Sequence, residues 1–165
     1  MWLFPYDRFS IISSLKPADA IRRLTENITR IPPGNYFKNI SFWFRRNFDQ
    51  YFMGSISGNL FKIYRAIKGR NSFIPMIKCV ISEDAEGSKI LVRMRIHPIV
   101  LIFCFWILII GWFYKSHIKN IVFVYNSTPI FIFIGMYCLT LFMFKYEVQK
   151  DKETLLDIFD GEIET

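Results

Sequence analysis

The side chains best suited to chemistry in this chain of 165 residues are cations set among aromatic rings and amides, and the chemistry they suit is anion binding. Arg65, Arg70 and Asn71 lie on either side of a short turn, where guanidinium forks and a carboxamide could close on a lipid headgroup or a phosphate. A second set lies in YFKNISFWFRRNFDQY, from Tyr36 to Tyr51. Helical spacing gathers Tyr36, Ile40, Trp43, Phe44 and Phe48 on one face and turns Lys38, Arg45 and Arg46 elsewhere. Rings facing the headgroup boundary, with cations available to anionic lipid, are the makings of an interfacial helix. The competing readings are structural: turn residues satisfying carbonyls at Arg65 to Asn71, and a helix laying its aromatics on the domain's own sheet at Tyr36 to Tyr51.

Catalytic chemistry has less to work with. Cys79 falls in an expected strand with no histidine near it to generate a thiolate. His97 and His117 bracket an apolar run and are expected on opposite sides of a membrane, where they cannot share a metal. Glu83, Asp84 and Glu86 sit in a turn, the ordinary place for solvated carboxylates. Cys79, Cys104 and Cys138 are scattered and odd in number, which gives neither a disulfide framework nor zinc spacing. The expectation is a non-enzymatic protein with no catalytic residue, metal or cofactor.

The elements that must carry the cations follow from periodicity. Arg8 to Ser13 reads as a strand. Pro17 to Ile28 reads as an amphipathic helix, with Pro17 in its first turn, Asp19 at the positive end of its dipole, and Ile21, Leu24 and Ile28 on one face. FMGSISGNLFKIYRAI divides at Gly58 and Asn59 into a hairpin, and Gly54 inside its first strand implies a bulge or a close backbone approach. FIPMIKCVISE and SKILVRMRI complete a four-stranded antiparallel meander. In the last strand Ile90, Val92, Met94 and Ile96 face one way and Lys89, Leu91, Arg93 and Arg95 the other.

Two apolar runs follow, Pro98 to Tyr114 and Ile121 to Phe144, with the second helix expected to begin between Ser127 and Pro129. Each approaches the roughly 20 residues that cross a bilayer, and Trp112, Phe113 and Tyr114 suit its interface. Behind them a short helix is expected over Lys152 to Phe159, packing on the N-terminal domain through Leu155, Ile158 and Phe159. The expected fold is therefore α+β: a small antiparallel meander with one or two amphipathic helices, and a two-helix transmembrane hairpin inserted before a C-terminal helix. The expected divisions are a basic domain over 1–97, the hairpin over 98–144 and an acidic tail over 145–165.

Charge gives the orientation. Residues 1–97 hold sixteen Lys and Arg against seven Asp and Glu, while the tail holds three against seven. Cations next to spans stay on the cytoplasmic side, so both termini are expected there, in the plasma membrane. MWLFPYDRFS has no basic region ahead of an apolar run, which is not the pattern of a signal peptide.

The runs LFPYDRFSIISSLKPADAIRRL, F-x-G-x-I-x-G-N-x-F-x-I-x-R and GRNSFIPMIKCVIS resemble an uncharacterised family of small bacterial two-span membrane proteins, with RNSFIP, Arg70 to Pro75, the most specific piece. The resemblance covers the whole chain, and the family pattern carries a glycine near Cys79, where this chain departs from it. It implies an inner-membrane architecture and no activity. The order of elements also resembles the helix-grip fold of START-like lipid-binding domains, a likeness of fold alone.

These readings lead to a membrane protein whose cytoplasmic domain lies on or senses anionic lipid. The basic domain is held beside a negative bilayer face, so lipid, and not nucleic acid, is its expected partner. The alternatives are an accessory subunit that binds another membrane protein, with Gly111 and Gly135 as small contacts between spans, and a START-like lipid carrier tethered to the membrane.

Overall fold

The computed structural model describes residues 4–30, 50–67, 71–85, 87–117 and 128–164, with the main chain alone at 112, 114–117, 128 and 129. The interfacial helix expected from Tyr36, with Lys38, Trp43, Phe44, Arg45 and Arg46, lies outside the described residues, as do Arg70 and the side chains of Trp112 and Tyr114.

Strand β1, Tyr6–Ser13, alternates so that Phe9, Ile11 and Ser13 are buried. Helix α1, Pro17–Glu26, buries Ala20 and Leu24 and stops at Asn27, whose N–H bonds back to the Leu24 carbonyl and whose Nδ2 donates to Arg23 O at 2.9 Å. The helix is shorter than its apolar spacing implies because Ile28 belongs to a strand, β2, Ile28–Arg30. That strand runs parallel to β3, Phe52–Ser57, and Gln50 joins the two by accepting from Thr29 Oγ1 at 2.9 Å and donating to Glu26 O at 2.9 Å.

The expected meander is present. β3 pairs with β4, Leu60–Arg65, through a two-residue turn in which Gly58 alone takes a positive φ of 59°, as a type II′ hairpin requires. The chain approaches itself closely at Gly54, where a Cβ would meet Lys62 O at 2.1 Å, a clash with main chain that only glycine avoids. β5, Met76–Asp84, and β6, Gly87–Arg95, follow as antiparallel neighbours, and β6 pairs along its length with β1. A last short strand, β7, Gly161–Ile163, adds to the free edge of β1. The sheet has seven strands in the order β2-β3-β4-β5-β6-β1-β7, two more than the sequence reading, and both extra strands are three residues long.

Helix α2, Pro98–His117, starts three residues after β6 ends. Helix α3, Thr128–Phe159, is continuous for 32 residues, about 48 Å at 1.5 Å per residue. The sequence reading ended a span at Phe144 and began a separate helix at Lys152. No glycine or proline falls between Met136 and Phe159 to interrupt the backbone ladder, so the apolar half runs straight into the polar half. Of the described helices, only α3 is long and apolar enough to cross a membrane by length and composition, over Ile130–Phe159 with a mean hydropathy of 1.5; from Phe144 onward it packs on the sheet, so the part a bilayer could hold lies before Phe144. The apolar part of α2, Pro98–Gly111, is shorter.

One core joins these elements. Phe9, Ile11, Phe61, Ile63, Ile77, Cys79, Val92 and Met94 from the sheet meet Leu24 of α1 and Phe144, Val148, Leu155 and Phe159 of α3. Ser13 Oγ donates to Phe159 O at 2.5 Å, which fixes the end of α3 to the end of β1. The upper parts of α2 and α3 touch through Phe105 and Phe133, with ring centroids 5.9 Å apart, and through Cys104 Sγ and Thr140 Oγ1 at 3.8 Å. Gly135, expected as a contact between spans, faces open space with nothing within 4 Å of an added Cβ; the helices meet at larger residues instead. Gly111 is half-buried in α2.

Candidate anion-binding face and a buried charge cluster

Strand alternation sorts the meander into two faces. With Phe61, Ile63, Ile77, Cys79, Val92, Met94 and Phe9 turned to the core, the residues between them turn outward. Register then decides which outward residues stand together. Lys62 is opposite Lys78, Lys78 is opposite Arg93, and Arg93 is opposite Arg8. Four cations therefore form one row across β4, β5, β6 and β1. Arg95, one step nearer α2, lies opposite both Met76 and Tyr6.

Like charges placed directly opposite one another cost a sheet roughly 0.2–1 kcal/mol per pair. Among the described residues no carboxylate pairs with the row. Lys89 reaches Glu164 at 2.6 Å, but among the described residues Arg8, Lys62, Lys78, Arg93 and Arg95 form no salt bridge. Arg8, Lys62, Arg93 and Arg95 are exposed and Lys78 is half-buried. A row of this kind is a site of positive potential that an anionic surface would relieve.

Arg65 points the other way. It lies opposite Phe52 and shares the inner face with Phe61 and Ile63. Its Nη2 pairs with Glu147 Oε2 on α3, and its Nη1 stands 3.2 Å from Asp151 Oδ1. Asn71 joins the same group, donating from Nδ2 to Glu147 Oε1 at 3.0 Å while its Oδ1 accepts from Phe73 N at 3.0 Å. The structure brings Arg65 and Asn71, two of the three residues expected to hold a phosphate, together around carboxylates one helical turn apart. Both side chains are turned to the carboxylates of α3 and not to the outer face of the sheet.

Asp151 is the strained member of this cluster. It is fully buried, and neither of its oxygens has a hydrogen bond among the described residues, although Arg65 Nη1 stands within ion-pair distance. Burial pushes its carboxyl up to about 7 from an ordinary 3.8, with Arg65 and then Lys150 pulling it down only in part. A folded state that holds this proton more tightly than the unfolded chain gains stability at low pH. That gain is complete below about 3.8 and is lost as pH rises through about 7. Asp151→Asn should flatten the pH dependence of unfolding between those values and raise stability above them. Parallel curves for the two proteins would contradict this assignment.

Cys79 is an inert core residue, its thiol pushed up to about 12 by complete burial. His97 accepts from Ile99 N through Nδ1 at 3.3 Å, which satisfies one of the free N–H groups at the start of α2. Beside it, a pocket of about 330 Å³ opens on the outer face of the sheet among Lys62, Tyr64, Met76, Lys78, Arg95 and His97. The alternation of β6 is visible in the sequence, but the grouping of these residues is not, since their proximity depends on the register of three strands. Compared with protein-family models, curated proteins and solved structures, the chain matches none.

Proposed function

We propose that the chain is an integral membrane protein whose two apolar helices cross the bilayer with both termini on the cytoplasmic side, and whose cationic sheet face engages anionic lipid headgroups. The observation that carries this reading is the row Lys62, Lys78, Arg93 and Arg8, which forms no salt bridge among the described residues, on a sheet whose β6 leads within three residues into α2. The membrane part is supported by large apolar side chains left outside the core on both helices: Phe103, Phe105, Trp106, Ile110 and Phe113 on α2, and Phe131, Ile132 and Phe142 on α3, each more than half exposed. In water that surface would aggregate; in hydrocarbon it is solvated.

Because the strands end at α2, the row lies near the bilayer surface. At about 3.3 Å per residue, Arg93 is some 16 Å along the chain from Pro98, and Arg95 is nearer still. A cation within a Debye length of an anionic leaflet, about 8 Å, contributes about 1 kcal/mol, so the row acts when the sheet face lies down on the headgroups. Full burial of Phe52, Phe61, Phe144 and Phe159 supports a surface site over a carrying cavity beneath the sheet.

The test is lysine acylation footprinting of the full chain in lipid nanodiscs. Lys62 and Lys78 should react several-fold more slowly in discs containing anionic lipid than in neutral discs, while Lys16, at the start of α1, is unchanged. The protection should vanish at about 1 M salt, where the Debye length falls to about 3 Å. Equal labelling in both discs would overturn the reading.

A further inference from the structure

We infer that the pocket beside His97 is a binding site for a phosphate group, carried by a lipid headgroup or free in solution. The inference rests on the membrane placement above only for the source of that phosphate; the recognition itself is a matter of the pocket's own residues.

Three of the eight residues that line it, Lys62, Lys78 and Arg95, are cations, and no lining residue is acidic. None of the three has a salt bridge among the described residues. They come from three adjacent strands, with Lys62 opposite Lys78 and Arg95 opposite Met76, so their charges converge from two sides on a single opening. A doubly charged phosphate oxygen cluster answers that arrangement better than a single carboxylate does. Two ammonium groups can each take one oxygen, and the planar fork of Arg95 can take two together. His97 adds a ring nitrogen: with Nδ1 committed to the N–H of Ile99, Nε2 is the atom available to a ligand.

Size and position narrow the class. A volume of about 330 Å³ is at the small end of ligand pockets, which run from roughly 300 to 1,000 Å³, and suits a headgroup better than a whole lipid. Met76 supplies an apolar wall, and Pro98, next to His97, begins the apolar helix. A phosphate held here would therefore lie beside the start of α2, where the sheet meets the bilayer surface in the proposed placement.

The experiment follows the imidazole signals of the full chain in neutral detergent micelles by ¹H–¹³C NMR. The chain has two histidines, so His117→Gln assigns them. The probes are inorganic phosphate, a water-soluble short-chain phosphatidic acid, and a short-chain fatty acid as a singly charged control. The His97 signal should shift saturably with both phosphate compounds, with a Kd of about 1 mM or tighter, and not with the fatty acid. Tighter binding of the phosphatidic acid, by roughly tenfold or more, identifies the lipid headgroup as the source; equal binding identifies free phosphate. Arg95→Gln and, independently, Lys78→Gln should each weaken binding about ten- to a hundredfold, the worth of a charge-assisted bond. Lys16→Gln, at the start of α1 and outside both the row and the pocket, should leave it nearly unchanged. No saturable shift with either phosphate, an equal shift with the fatty acid, or full binding by both pocket variants would overturn the inference. Such a result would leave the footprinting of the sheet face standing, and loss of that footprint would leave phosphate binding in micelles intact, so the two failures are distinguishable.

Discussion

Arg65→Ala should destabilise the folded protein by about 3–5 kcal/mol, the typical effect of removing one partner from a buried ion pair. The side chains of Arg65 and Glu147 are 17% and 7% exposed, and that of Asp151 is fully buried. Alanine at 65 would leave Glu147 with only the amide of Asn71 and Asp151 with no cation on the sheet side. Lysine should not restore the loss, since a single ammonium cannot serve two carboxylates from the place of a planar fork. The triple variant Arg65→Met/Glu147→Gln/Asp151→Asn should recover most of it, because a neutral replacement removes the desolvation cost together with the attraction. Equilibrium unfolding in detergent micelles measures all three. A loss under about 1 kcal/mol for Arg65→Ala, within the range of exposed pairs, would mean that the cluster is solvated and not buried.

Phe159→Ala should cost a similar amount, about 3–5 kcal/mol, and should also release the C-terminal segment. Phe159 is wholly buried at the last position of α3, its carbonyl accepts from Ser13 Oγ, and the chain turns directly from it into β7. The turn places Asp160 at a φ of 46°, a conformation sustained only while both flanking elements are anchored. Limited proteolysis should cut the variant near Asp160 to Glu164 under conditions where the natural chain resists, and thermal unfolding should shift in parallel. An unchanged transition would show α3 to be an appendage to the sheet. The continuity of α3 gives this prediction its wider meaning, because one rigid helix links the apolar segment to the core, and loosening the core end loosens the seating of the domain.

Much of the soluble fold was legible in local patterns. The period-two alternation of MIKCVISED and GSKILVRMR, the Gly58-Asn59 turn and the apolar spacing of α1 each arise from contacts within a few residues, and each appears in the structure close to where the pattern places it. β2 and β7 left no such trace. Three residues are too few for a period, and ITR and GEI become strands only because β3 and β1 offer them an edge.

For the sites, alternation alone turned Arg65 to the same side as Phe61 and Ile63, a signal that a turn-based reading overrode. Its carboxylate partners lie 82 and 86 positions away on a helix whose continuity no local break contradicted. The sequence by itself determined which residues alternate, which segments are strongly apolar, and that the basic charge lies ahead of them, because these follow from side-chain type and spacing. Only the tertiary structure decided that Lys62, Lys78, Arg93 and Arg8 stand in one row and that Arg65 does not join them. Register is set by turns and core packing, and a shift of one residue in any strand would have sent its cations to the opposite face.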